Sequence, residues 1–158
     1  MRPALHFRLS DMPEQSVVLL DEVQCQKLEE LLVERIYEFN SRATGYFDGR
    51  LFGASIQNEA GDVIAGFNGH TWGGCAKVSN LWVSEHHRRH GLGGTLLRAA
   101  EAEAVRRGCT QIVLSTHGFQ APGFYERLGY ERKCAIDGWP QGHANILFIK
   151  ALRGNVGS

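Results

Sequence analysis

Apolar positions Leu28, Leu31, Leu32, Ile36 and Phe39 recur every three or four residues, with Glu29, Glu30, Glu34 and Arg35 between them. That spacing predicts a helix with one apolar face from Asp21 to about Asn40 and Ser41. Upstream, residues 4–9 and 17–20 compete for the role of a short first strand. The pattern then changes to extended runs rich in β-branched and aromatic residues. Residues 50–57 and 63–71 flank the turn NEAGD, which predicts a hairpin, and 76–83 (AKVSNLWV) follows Gly73-Gly74 as a third antiparallel strand. An Ala- and Leu-rich stretch, 93–107, reads as a helix stopped by Gly108. QIVLS at 111–115 reads as a buried strand. Pro122 suits the first turn of a short helix that Gly129 ends, and 130–136 and 145–149 close the chain as strands.

The order helix, three strands, helix, strand, helix, strands predicts an α/β fold: a mixed, mostly antiparallel sheet flanked by helices. A length of 158 residues suits one domain, with a core over about 4–152 and a frayed C-terminal tail. Lys+Arg 17 balance Asp+Glu 17, so no global field favours nucleic acid or an anionic membrane. No apolar run approaches the roughly 20 residues of a membrane span, and residues 1–15 lack the apolar core of a signal peptide. Cys25, Cys75, Cys109 and Cys134 form no C-x-x-C pair and read as free thiols. A soluble, cytoplasmic protein is expected.

With no global charge bias, an anion site has to be local, and residues 85–96, EHHRRHGLGGTL, supply one. Arginines and glycines gather where a helix begins, and orphan amides with the positive helix end favour an anion there. The stretch is not a P-loop, because no lysine lies between Lys77 and Lys133. It is not a dinucleotide fingerprint either: Leu96 stands where the last glycine is required. What remains is R-x-x-G-x-G, formed by Arg88, Gly91 and Gly93. His86, His87 and His90 lack a carboxylate or thiolate partner, so no metal site is expected.

Residues 81–108 resemble the strand, pyrophosphate loop and helix of the GNAT superfamily of acyl-CoA-dependent N-acetyltransferases. Residues 120–130, QAPGFYERLGY, resemble its second signature through Ala121, Phe124, Tyr125, Gly129 and Tyr130. Together the two motifs cover about a quarter of the chain, in the family's order. The resemblance implies acetyl-CoA as acyl donor and no metal. It implies that the backbone of Arg89, His90, Gly91, Leu92, Gly93 and Gly94, with the Thr95 hydroxyl, cradles the pyrophosphate, and that Arg88 and Arg89 either pair with phosphates or are solvated. Glycines at 91, 93 and 94 then keep side chains out of the way. Leu81 and Val83 would pair with pantetheine, with the Val83 N–H on the thioester oxygen, and Ala121 and Phe124 would line the cofactor channel. Tyr125 matches the family's general acid, and a phenol is a fair proton donor to a leaving thiolate.

The strand leading into the loop offers Lys77, Ser79 and Asn80, and no carboxylate before Glu85, so it supplies no general base. His70, His117, His143 and a water chain are the candidates. Gly118 stands where many relatives carry an asparagine; Ser115, Thr116 and Gln120 are its candidate substitutes. Acceptor choice is assigned to residues 21–50 and to loops near Gly73, His117 and 139–143, where Trp72, Trp139, Tyr46 and Phe47 could face a cation. The expected reaction is direct attack of a small-molecule primary amine on acetyl-CoA in a ternary complex. The alternatives are a protein lysine or N-terminus as acceptor, or a CoA-binding regulatory module without transfer. Homodimerisation through the last strands, as in relatives, is the partner the resemblance allows.

Overall fold

The structure, a computed structural model, describes residues 17–152. Its elements are α1 (Glu22–Thr44), β1 (Arg50–Gln57), β2 (Val63–Trp72), β3 (Cys75–Val83), a 3-10 turn (Glu85–His87), α2 (Leu92–Arg106), β4 (Gln111–His117), α3 (Pro122–Arg127), β5 (Glu131–Asp137) and β6 (Ala144–Ala151). The six strands form one sheet in the order β1-β2-β3-β4-β6-β5. Among the described strands, only β3 and β4 are parallel neighbours. This is the predicted mixed, mostly antiparallel α/β architecture. Residues 17–20 carry no strand, and 4–9 lie outside the described residues.

The described chain divides after Phe39 into two compact units. In the first, α1 starts from a reciprocal cap. The Gln24 amide donates to Asp21 Oδ1 at 2.8 Å, and the Asp21 amide donates to Gln24 Oε1 at 3.0 Å. The predicted apolar stripe is present, but Leu28, Leu31, Leu32, Ile36 and Phe39 are 38–72% exposed. Capping and helix-favouring residues support this helix.

In the second unit, α2 packs across β1 to β4. Leu96, Leu97, Ala100 and Ala104 meet Phe67, Val78, Ile112 and Phe148 in the core. Burying a side chain such as Leu97, Ile112 or Phe148 contributes about 1.5–3 kcal/mol. Two charged clamps fix α2 to the sheet. Near its middle, Glu101 accepts from Lys150 Nζ at 2.8 Å and from the Tyr130 hydroxyl at 3.0 Å. Just past its C-terminus, Arg107 donates to the Leu51 carbonyl at 3.0 Å and pairs with Glu103 at 2.6 Å.

A bulge shapes the cleft side of the sheet. Asn68 pairs with Asn80, but Gly69 pairs with Val78, so Ser79 is an extra residue on β3. Ala76 and Val78 face the core. Beyond the bulge Leu81 lies opposite Phe67 and Val83 opposite Ala65, on that same core side. The side chains of Asn80 and Trp82 are turned to the opposite, open face.

Candidate active site

The pairing of β3 with β4 covers only Cys75–Gln111, Ala76–Ile112 and Lys77–Val113. Both strands continue, β3 to Val83 and β4 to His117, without pairing to each other. The β2 ladder shows which way the free backbone of β3 points. The Ser84 amide donates to the Ile64 carbonyl at 2.8 Å, which makes Val83–Ala65 a non-hydrogen-bonded pair. Val83 therefore directs both its N–H and its carbonyl away from β2, towards the gap beside β4. By alternation Leu81 does the same. Two backbone edges face a space where another strand would pair.

Arg88 closes the end of that edge, its Nε donating to the Val83 carbonyl at 3.2 Å. The sequence shows the arginine but not this long-range partner. The Val83 N–H keeps no partner among the described residues. Past Arg88 the chain turns twice through left-handed backbone, at Arg89 (φ 65°) and at Gly91 (φ 79°), the N-cap of α2. The first intrahelical bond runs from the Thr95 amide to the Gly91 carbonyl at 3.0 Å. The amides of Leu92, Gly93 and Gly94 therefore have no helical acceptor, and no side chain caps them. His90 is exposed beside them. Thr95 is also exposed, but its hydroxyl accepts from Arg98 at 3.2 Å. Arg98, which the sequence reading did not single out, brings a further cation to this end of α2.

The glycines differ in what requires them. Gly91 needs its backbone conformation. A Cβ on Gly93 would stand 3.1 Å from the Phe124 ring, so Gly93 is also where α3 packs against the start of α2. A Cβ on Gly94 would meet the end of the flexible Arg98 side chain. The structure thus brings the two sequence motifs together at Gly93 and Phe124.

Ala121 is the N-cap of α3, which carries Phe124 and Tyr125. Tyr125 is 8% exposed. Its ring lies 5.1 Å from Phe124, 5.7 Å from Phe148 and 6.0 Å from Tyr130. Its hydroxyl has no hydrogen-bond partner among the described residues and is not sealed from solvent. Burial raises the phenol pKa above its ordinary value, so it holds its proton at neutral pH.

The candidate bases separate clearly. His70 lies opposite Lys77 on β2. Burial, and then the Lys77 charge, lowers its pKa and keeps it neutral. Lys77 is six residues before Val83, roughly 20 Å along a strand, too far for direct proton transfer there. His117 ends β4 beside the gap, with Nδ1 3.1 Å from the Trp139 carbonyl. Its ring stacks parallel to Phe119 at 5.4 Å, and Phe119 meets His143 edge-on at 4.9 Å. Gln120 is committed locally: its Oε1 accepts from the Thr116 hydroxyl at 2.8 Å and the His117 amide at 2.9 Å.

On the open face, Trp82, Asn80, Asn68, Gly66 and Ser55 line a concavity of about 280 Å³. Asn80 donates to Asn68 at 2.9 Å, and Trp82 is 51% exposed. Among the described residues, no group of three or more His, Cys, Asp or Glu side chains could hold a metal ion.

The sequence profile of the Acetyltransferase (GNAT) family matches residues 17–130. The chain belongs to this family. It is an acetyltransferase, and the family's acyl donor is acetyl-CoA. Among curated relatives, blasticidin-S acetyltransferase of Streptomyces morookaense is 39% identical over 95 residues, 60% of this chain and 70% of that protein. An acetyltransferase of Agrobacterium fabrum is 32% identical over 72% of this chain and 83% of its own length. Among solved structures, an acetyltransferase from Bacillus cereus superposes with a TM-score of 0.70 at 25% identity, covering 87% of this chain and 98% of its own.

Proposed function

We propose that this enzyme transfers the acetyl group of acetyl-CoA to a primary amine of a small molecule, by direct attack in a ternary complex. The observation that carries the reading is the β3–β4 gap. It presents the backbone edges of Leu81 and Val83, with the unfilled amides of α2 at one end and the Tyr125 hydroxyl unclaimed. Pantetheine amides pair along Leu81 and Val83 as an added strand does. Phosphates rest on the amides of Leu92, Gly93 and Gly94, beside His90, with Arg89 and Arg98 supplying charge. Ala121 and Phe124 wall the channel. The Val83 N–H is free to donate to the thioester oxygen, a contact that strengthens as that oxygen gains charge. Tyr125 donates its proton to the departing CoA thiolate.

The likeness to blasticidin-S acetyltransferase supports a small-molecule acceptor. So does the concavity at Trp82, which is sized for a ring or short chain. Trp82 offers an aromatic face, and the Asn68–Asn80 pair leaves a spare amide donor and acceptor for a polar substituent. The test is thiol release from acetyl-CoA with a panel of small amines, beside peptides carrying a free N-terminus or lysine. Faster release with small amines supports the reading; turnover of peptides alone overturns it.

A further inference from the structure

We propose that His117 is the general base that removes the proton from the acceptor's ammonium group. The inference rests on the transfer reading above and names a group that the reading leaves open. Position is the first argument. Along β4, Ile112, Leu114 and Thr116 are buried on the core face, so Val113, Ser115 and His117 face the open side. Asn80 and Trp82 lie on that same side of β3. His117 is four residues past the Lys77–Val113 pair on β4, and Leu81 four past it on β3, where Ser79 takes up one residue in the bulge. The imidazole therefore lies level with the free backbone edge, across the gap from it.

Tautomer is the second argument. The Trp139 carbonyl can only accept, so the 3.1 Å bond requires a proton on Nδ1. In the neutral ring Nε2 then carries the free lone pair. The ring is also held in place. Phe119 stacks on it, the Trp139 ring meets it edge-on at 6.0 Å, and its backbone amide is bonded to Gln120. Trp139 is itself pinned in its turn, its amide and that of Gly138 both donating to the His143 carbonyl at 3.2 and 2.8 Å. No carboxylate hydrogen-bonds to His117 among the described residues, and His143, reached through Phe119, is the other titratable group of the cluster.

Nε2 takes one proton from R–NH3+, leaving R–NH2 and an imidazolium that releases the proton to water on the open face. The amine lone pair forms the C–N bond, the C–S bond breaks, and the thiolate takes its proton from Tyr125. The second N–H proton leaves to solvent, which also restores Tyr125. The net change is one amide, one CoA thiol and one proton released. Acid and base thus work from opposite faces of the sheet.

The test uses the full chain and His117→Asn, whose amide can keep the bond to Trp139 but offers no base. Each is assayed with an alkylamine that the native enzyme acetylates and with the corresponding alkoxyamine, which is unprotonated at assay pH. A positioned base is worth about 10²–10⁴-fold. The expected result is a kcat loss in that range for the alkylamine, little loss for the alkoxyamine, and unchanged acetyl-CoA affinity. Added imidazole should restore part of the alkylamine activity to His117→Ala, an independent check should His117→Asn fold poorly. Equal losses on both acceptors, no loss on either, or no rescue would overturn the assignment. If the native chain turns over no amine while binding acetyl-CoA, the transfer reading fails first and this inference falls with it.

Discussion

Tyr125 is held by three aromatic neighbours, yet its hydroxyl is left unclaimed. Removing that oxygen should spare the packing and cost the chemistry. Tyr125→Phe is expected to lower kcat by about 10²-fold or more, with acetyl-CoA affinity and melting temperature close to native. Loss of binding as well would instead mark a structural role. Burial raises this phenol's pKa, so the proton stays on as pH rises. Any alkaline loss of kcat owed to Tyr125 should therefore lie above about pH 10, the ordinary phenol value; a pH–rate profile checks it. At Gly91, φ 79° is a conformation an alanine adopts at a cost of about 1–2 kcal/mol. Gly91→Ala should destabilise the fold by about that much in urea unfolding and raise the KM for acetyl-CoA more than it changes kcat.

At the scale of elements, the β3 bulge sets which side chains, Asn80 and Trp82, face the open side of the sheet. It also explains Gly69, where a Cβ would run into the Lys77 carbonyl and stand 2.8 Å from the Phe52 ring. Gly69→Ala should therefore destabilise by about 1–3 kcal/mol, as overpacking does. It should also weaken acceptor binding, because Asn80 and Trp82 depend on the register that follows; unfolding curves and acceptor KM report the two effects. Arg107, 13% exposed at its side chain, ties the end of α2 to β1 through Leu51. Arg107→Ala should cost about 1.5–3 kcal/mol, the range for bonds made by a charged group. Hydrogen bonds from Arg106 and then Arg107 lower the Glu103 pKa to about 2. Glu103's share of this stability is complete above its ordinary range near 4.5 and is lost as pH falls towards 2.

The elements were legible because their periods of 2 and 3.6 and their stops at Gly108 and Gly129 are local signals. The motifs around Gly91 and Tyr125 were legible for the same reason. What escaped depends on distant partners. The alternation in AKVSNLWV does not reveal the bulge, which is set by pairing with Asn68 and Gly69. Nothing near Arg88 announces its bond to Val83, and nothing near His117 announces the Trp139 carbonyl 22 residues away.

For the whole molecule, acetyl-CoA should act as a ligand of the folded state. At 100 times its Kd it should add about 2.7 kcal/mol of stability, visible as a melting shift that ATP and NADH do not reproduce. The central claim is that the β3–β4 cleft moves acetyl from that donor to a small amine with Tyr125 as acid. Its most direct test is amine-dependent thiol release, measured for the native chain and Tyr125→Phe at saturating acetyl-CoA. Release should depend on a small primary amine and fall about 10²-fold or more in the variant. Release unaffected by any amine, or a variant as fast as the native chain, would contradict it.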